Sequence, residues 1–247
     1  MLTIAADEAA LARVAADRWM EIVLAAVGAR GRAVVSLTGG STPKRMYETL
    51  ARDASRLPWT DVHLYWGDER HVPPDHADSN YGMARDALLA HVPIPASQVH
   101  RMRGELPAEE AAREYERELA AIPGRSWNVD SGSQMFDLML LGLGDDAHIA
   151  SIFPGSPVLE ERTRLVAAPW APHLNAFRIT LTPPALLDSR RIVMLVAGEQ
   201  KADAVAAAIE GPEDVRRWPV QLLRRAGDAV EWLIDRAAAR ALSSRRG

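Results

Sequence analysis

Three glycine-containing stretches of the 247-residue chain carry side chains able to hold an anion or move a proton. The first is Thr38-Gly39-Gly40-Ser41-Thr42-Pro43. Its glycines permit a tight turn and close backbone approach to a ligand, and Ser41 or Thr42 is placed to cap a helix that Pro43 starts. A helix start presents unpaired N–H groups and partial positive charge, which suits a phosphate. No Gly-Lys-Ser/Thr follows, so this is not a Walker loop, and Pro43 stands where a nucleophile elbow needs glycine. The plainer reading is a strand-to-helix turn without a ligand.

The second stretch is Gly142-Leu143-Gly144-Asp145-Asp146-Ala147-His148. A histidine two residues beyond a carboxylate has the chemistry of a general acid–base, although a hydrogen bond within the loop is its plainer use. The same residues spell Gly-x-Gly-x-x-Ala, a dinucleotide fingerprint. Asp145 and Asp146 would face the pyrophosphate, however, and Pro154, Gly155 and Pro157 stop the following helix too soon, so a dinucleotide cofactor is not expected. The third stretch is Gly67-Asp68-Glu69-Arg70, charged immediately behind an apolar run. Arg178, inside another apolar run, is costly unless it is paired or serves a ligand. With Lys201 it would give a phosphate a bidentate fork and a point charge. His71, Asp75 and His76 fall in a proline-rich polar segment with no third histidine nearby, which reads as a solvated loop rather than a metal site.

These stretches follow segments that must position them. Helical spacing runs over Asp7–Val27, Pro43–Arg52, roughly Asn80–Ala90, Pro107–Ala121 and Asp228–Leu242. Strand-like runs are Ala33–Leu37, Val62–Trp66, a short Val99–Met102, Phe136–Leu141, Phe177–Leu181 and Arg191–Ala197. The Phe136–Leu141 run is nearly all apolar, as a strand covered on both faces would be. Gly124–Gln134 reads as a polar loop. Strands alternating with helices predict one α/β domain over residues 1–247, with a mostly parallel sheet and helices on both faces. Ligands of such sheets bind beyond the carboxyl ends of the strands, where the three stretches fall.

Composition narrows the function further. The 29 basic and 33 acidic residues leave a net charge of −4, which opposes a nucleic-acid partner. The absence of cysteine removes disulfide and thiol chemistry and suits a reducing cytoplasm. Asp7, Glu8, Asp17 and Glu21 interrupt the first thirty residues, so no signal peptide or membrane span is expected there.

Taken in order, the motifs resemble the 6-phosphogluconolactonases of the glucosamine-6-phosphate deaminase-like superfamily. Ser36 to Pro43 resembles the family's first phosphate loop. Trp66-Gly67-Asp68-Glu69-Arg70 with Ser79-Asn80-Tyr81 resembles its second signature, and Leu141 to Gly155 resembles the third, which carries the catalytic histidine. Arg178 and Lys201 fall where the superfamily places phosphate ligands. The resemblance implies a three-layer α/β/α fold and hydrolysis of 6-phosphoglucono-δ-lactone without a cofactor or metal. It places phosphate on Thr38, Gly39, Gly40, Ser41, Arg178 and Lys201, with His148 as general base. Asp146 is expected to orient the histidine, with Asp68 as the second candidate. Arg70 would stabilise the oxyanion or hold Asp68. Two rivals are a non-catalytic sugar-phosphate sensor and an amino-sugar-phosphate deaminase. The deaminases usually carry an acidic residue where this chain has Phe153 and an aromatic residue where it has Arg70. The family usually has glycine at the position of Ala147; a positive φ there would strain alanine by about 1 kcal/mol or more.

Overall fold

The computed structural model describes residues 1–122 and 134–243. Ten strands occur among them: β1 Leu2–Ala5, β2 Ala33–Leu37, β3 Val62–Trp66, β4 Asp68–Arg70, β5 Leu138–Leu141, β6 Val166–Ala167, β7 Trp170–Ala171, β8 Ala176–Leu181, β9 Ile192–Val196 and β10 Val230–Asp235. The α-helices are α1 Glu8–Arg30, α2 Ser41–Arg52, α3 Asn80–Ala87, α4 Ala108–Ala120, α5 Pro183–Leu187 and α6 Ala202–Ile209.

The main sheet has the order β1-β10-β9-β5-β2-β3, and every pair in it is parallel. Successive residues of its strands enter opposite cores. Val35, Leu138, Leu140, Val193 and Leu195 pack with Leu11 and Trp19 of α1 and with Met46, Tyr47 and Leu50 of α2. Val34, Met139, Leu141, Ile192 and Met194 pack on the other face with Tyr115 and Leu119 of α4 and Val205 of α6. Burial on both faces explains the unbroken apolar runs, and the result is the expected helix–sheet–helix layering. Asp7 caps α1 by accepting from the Ala10 N–H, and Gly31, at φ 71°, ends it. No described helix is long and apolar enough to cross a membrane.

A second, antiparallel sheet has the order β4-β8-β6, with β7 also on β8. Gly67 joins the two sheets: its N–H donates to Leu37 and its carbonyl accepts from Leu181. Several expectations change here. The Asp68–Arg70 run, expected only as a charged stretch behind a strand, is itself a strand, and Phe177–Leu181 belongs to this small sheet. Asp228–Leu242 is not a helix: Val230–Asp235 is a strand between β1 and β9, every residue of it buried or nearly so. The alanine and arginine that follow lent it a helical composition. β1 had no counterpart among the expected strands. Val99–Met102 makes only a single bridge, from Val99 to Leu64, and α3 stops at Ala87 before a short turn at Leu89–His91. The expected loop at Gly124–Gln134 lies outside the described residues except for Gln134.

Candidate active site

Because the main strands run parallel, the segments following β2, β3, β5 and β9 emerge at one end of the sheet. After β2, the Tyr47 hydroxyl of α2 fixes Thr38 by accepting from its N–H at 3.0 Å and donating to its carbonyl at 2.8 Å. The helix begins at Ser41 rather than Pro43, with Gly40 at φ 110° as its cap residue and no side chain capping it. The expected cap by Ser41 or Thr42 is therefore absent, and the first N–H groups of α2 stay available to an anion.

After β3, Glu69 is buried and gathers four donors: the N–H groups of Arg70, Asn80 and Tyr81 and the Ser79 hydroxyl, at 2.7–3.0 Å. Burial pushes its carboxyl up, against these hydrogen bonds. The sequence had assigned Glu69 no role; it fastens the start of α3. Asp68 accepts from the Ser151 hydroxyl at 2.6 Å and approaches Asn80 Nδ2 at 3.3 Å. The Arg70 guanidinium donates to the Asp78 carbonyl and makes no ion pair with Asp68, so it does not hold that carboxylate.

After β5, no helix follows Gly142-Leu143-Gly144. The chain turns back, with the Gly144 N–H donating to the His148 carbonyl. His148 Nδ1 lies 2.6 Å from Asp146 Oδ1, which also accepts the His148 N–H at 3.1 Å. Burial pushes the Asp146 carboxyl up, but bonding to His148 and the charge of the imidazole outweigh it, so the net direction is down. Asp146, and not Asp68, is thus the carboxylate on the histidine. Ala147 lies at φ 65°, fully buried, so its backbone is strained as the missing glycine implied. Its carbonyl accepts from the Val220 N–H at 3.1 Å, which braces the turn.

Two adjoining cavities of about 250 and 440 Å³ lie over these loops, a size range suited to a small metabolite. Thr38, Gly39, Gly40 and Ser41 line the first, with Asn80. Asp146 and Arg178 line the second, with Ser151, Phe153, His173 and Leu174. Asp68, Arg70, His148 and Lys201 line both, so the ten expected residues converge. Arg178 nevertheless sits apart from the glycine loop. It stands opposite Arg70 across β4 and β8; burial, then Arg70, pushes its guanidinium down. The Lys201 ammonium rests on the Asp145 carboxylate. Among the described residues no cluster of three or more His, Asp or Glu is suited to a metal.

His173 and Leu174, which were not anticipated, come from the hairpin of β7 and β8. Phe153 packs between His148 and His173, at ring separations of 4.6 and 4.5 Å. Only the fold brings His173 there, so no local spacing signals it.

The sequence matches the family described as glucosamine-6-phosphate isomerases/6-phosphogluconolactonase over residues 6–232. The 6-phosphogluconolactonase of Mycobacterium tuberculosis is 43% identical over 248 residues, 96% of each chain. That of Synechocystis is 40% identical over 215 residues, 86% of each chain. The solved structure of the Trypanosoma brucei 6-phosphogluconolactonase superposes with a TM-score of 0.86 at 28% identity, covering 98% of both chains. A monomeric glucosamine-6-phosphate deaminase, 23% identical, shares the fold with a TM-score of 0.81.

Proposed function

Because the chain belongs to the glucosamine-6-phosphate isomerase/6-phosphogluconolactonase family, we propose that it hydrolyses 6-phosphoglucono-δ-lactone to 6-phosphogluconate, a step of the oxidative pentose phosphate pathway. One observation carries the reading within that family: His148 is joined to Asp146 where the two cavities meet, and the apolar Phe153 lies against its ring.

His148 Nδ1–H donates its hydrogen bond to Asp146, which leaves Nε2 as the base. Nε2 removes a proton from water as the water oxygen attacks the lactone carbonyl carbon. The tetrahedral intermediate carries its charge on the former carbonyl oxygen, beside Arg70 and the loop N–H groups. Collapse breaks the bond to the ring oxygen, which takes the proton back from Nε2, giving a carboxylic acid that ionises and a free hydroxyl. The phosphate, two bonds from the ring, binds at Gly39, Gly40 and Ser41 with Thr38 and Lys201, while Arg178 adds charge from the second cavity. Binding at that remote end orients the reacting carbon. No step uses a metal or an organic cofactor.

The same reading places the chain, as one domain over residues 1–247, in the cytoplasm, without a nucleic-acid or membrane partner; the cysteine-free, net-acidic composition supports this. The test is to form the lactone in situ and follow its loss against spontaneous hydrolysis, beside unphosphorylated glucono-δ-lactone. Acceleration of the phosphorylated lactone well beyond the unphosphorylated one is expected; no acceleration of either would overturn the reading.

A further inference from the structure

Asn80 is the first residue of α3 and is 2% exposed. Its N–H is held by Glu69 at 2.7 Å, and its Nδ2 donates to the Asp68 carbonyl at 2.9 Å. The amide oxygen, Oδ1, is buried and accepts no hydrogen bond. That oxygen is pressed against the glycine loop: a Cβ on Gly39 would lie 1.8 Å from Oδ1 and 2.5 Å from Cγ. Gly39 has no positive φ to require glycine. Close approach of the Asn80 amide is therefore what excludes a side chain there.

The orphan acceptor is a cost that the Nδ2 bond to Asp68 offsets only in part. The amide does link three parts of the site. It joins the β4 backbone at Asp68 to the start of α3, and it sets the Gly39 backbone at contact distance from both. The chain of contacts runs from Glu69 through Asn80 to the loop whose N–H groups begin α2.

We propose that Asn80 is a positioning residue, a wedge that fixes the Gly39–Gly40 backbone relative to Asp68 and so shapes the phosphate end of the site. The identity of that ligand as a phosphate ester rests on the function proposed above; the wedge itself does not. It acts through the loop, since its oxygen is buried against Gly39.

The test is a cycle of Gly39→Ala, Asn80→Ala and the double variant in the full chain, read by melting temperature, affinity for inorganic phosphate, and kcat and KM for the lactone. Gly39→Ala is expected to lower the melting temperature and weaken phosphate binding more than tenfold. Asn80→Ala should weaken phosphate about tenfold and raise KM more than it lowers kcat, as a loosened anchor does. In the double variant the methyl group has room, so both melting temperature and phosphate affinity should recover relative to Gly39→Ala. Asn80→Ser, which keeps a short polar side chain and leaves the Ser79 cap in place, replaces Asn80→Ala if that variant does not fold. A double variant no better than Gly39→Ala overturns the wedge, and so does an Asn80 variant with unchanged phosphate affinity and KM. If the wild type binds no phosphate or hydrolyses no lactone, the functional reading fails while the melting-temperature cycle still decides the wedge.

Discussion

Asp137, just ahead of β5, and Asp68, just beyond β3, are both almost fully buried, yet at opposite ends of the sheet they keep different company. Asp137 meets Arg30 at 3.0 Å and Arg190 at 3.5 Å and accepts the Val34 N–H at 2.8 Å. Nearby in the same layer, Glu231 is gripped by Arg18 at 2.5 and 2.7 Å, which holds its carboxyl below the usual carboxylate range against the effect of burial. Among the described residues Asp68 has only neutral donors, Ser151 and Asn80. The cations at its end, Arg70 and Arg178, face each other across a strand pair, and among the described residues neither has a carboxylate within ion-pair distance. Like charges directly opposite destabilise a sheet. At the amino ends Asp137 and Glu231 are neutralised within the fold; at the carboxyl ends Lys201 is paired with Asp145, but among the described residues Arg70 and Arg178 are left without a carboxylate, which suits the anionic ligand proposed above.

That contrast predicts separable effects on stability and binding. Asp137→Ala strands two arginines and an amide, and should cost about 3–5 kcal/mol in denaturant unfolding with activity per folded molecule unchanged. A variant as stable as the wild type would break the comparison at its strongest point. Arg178→Gln at the other end should leave the melting temperature equal or higher. Its KM for the phosphorylated lactone should rise roughly 10- to 100-fold, the worth of hydrogen bonds to a charged group at about 1.5–3 kcal/mol. A fall in stability without a change in KM would make Arg178 an ordinary structural cation.

A smaller effect concerns acid. His63, near the amino end of β3, lies 3.2 Å from His100, which bonds Glu118 at 3.0 Å. Burial, then His100 and Arg32, push the His63 imidazole below its ordinary value of 6.5. The folded state therefore binds this proton less readily than the unfolded chain. The stability it contributes is present above about pH 6.5 and is lost as pH falls through and below that value. Melting curves should show this loss in the wild type and a flatter response in His63→Gln; an identical response would remove His63 from the amino-end account. The smallest effect is expected for Ala147→Gly. Relief of a positive φ, worth about 1 kcal/mol, is offset by a lost buried methyl of about 0.8 kcal/mol and by a freer unfolded chain. Its melting temperature and kcat should stay near wild type, and a large change in either would mean that the methyl group itself shapes the catalytic turn.

The two ends also differed in how far they could be read. The site loops were legible because their chemistry is local: a glycine pair before a helix start, and a carboxylate two residues before a histidine. The buried central strands were legible because both of their faces are covered. β10 was not, since its six residues adjoin an alanine- and arginine-rich tail whose composition reads as helix, and only pairing with β1 and β9 makes it a strand. The small sheet was hidden because Asp68–Arg70 is charged, and its burial is supported by donors from α3 and the catalytic turn that no spacing announces. Arg178 was expected to join the glycine loop as a phosphate ligand but lines the second cavity instead, because the register of β4 against β8 is a long-range fact.

The central claim is that the carboxyl-end cluster serves chemistry through His148. The most direct measurement is the initial rate of lactone loss, corrected for spontaneous hydrolysis, for wild type and His148→Ala from about pH 5 to about pH 8. The wild-type rate is expected to rise with pH over this range and to drop on the order of 10²- to 10⁴-fold in the variant, with the pH dependence gone. A variant that keeps both the rate and its pH profile would contradict the claim.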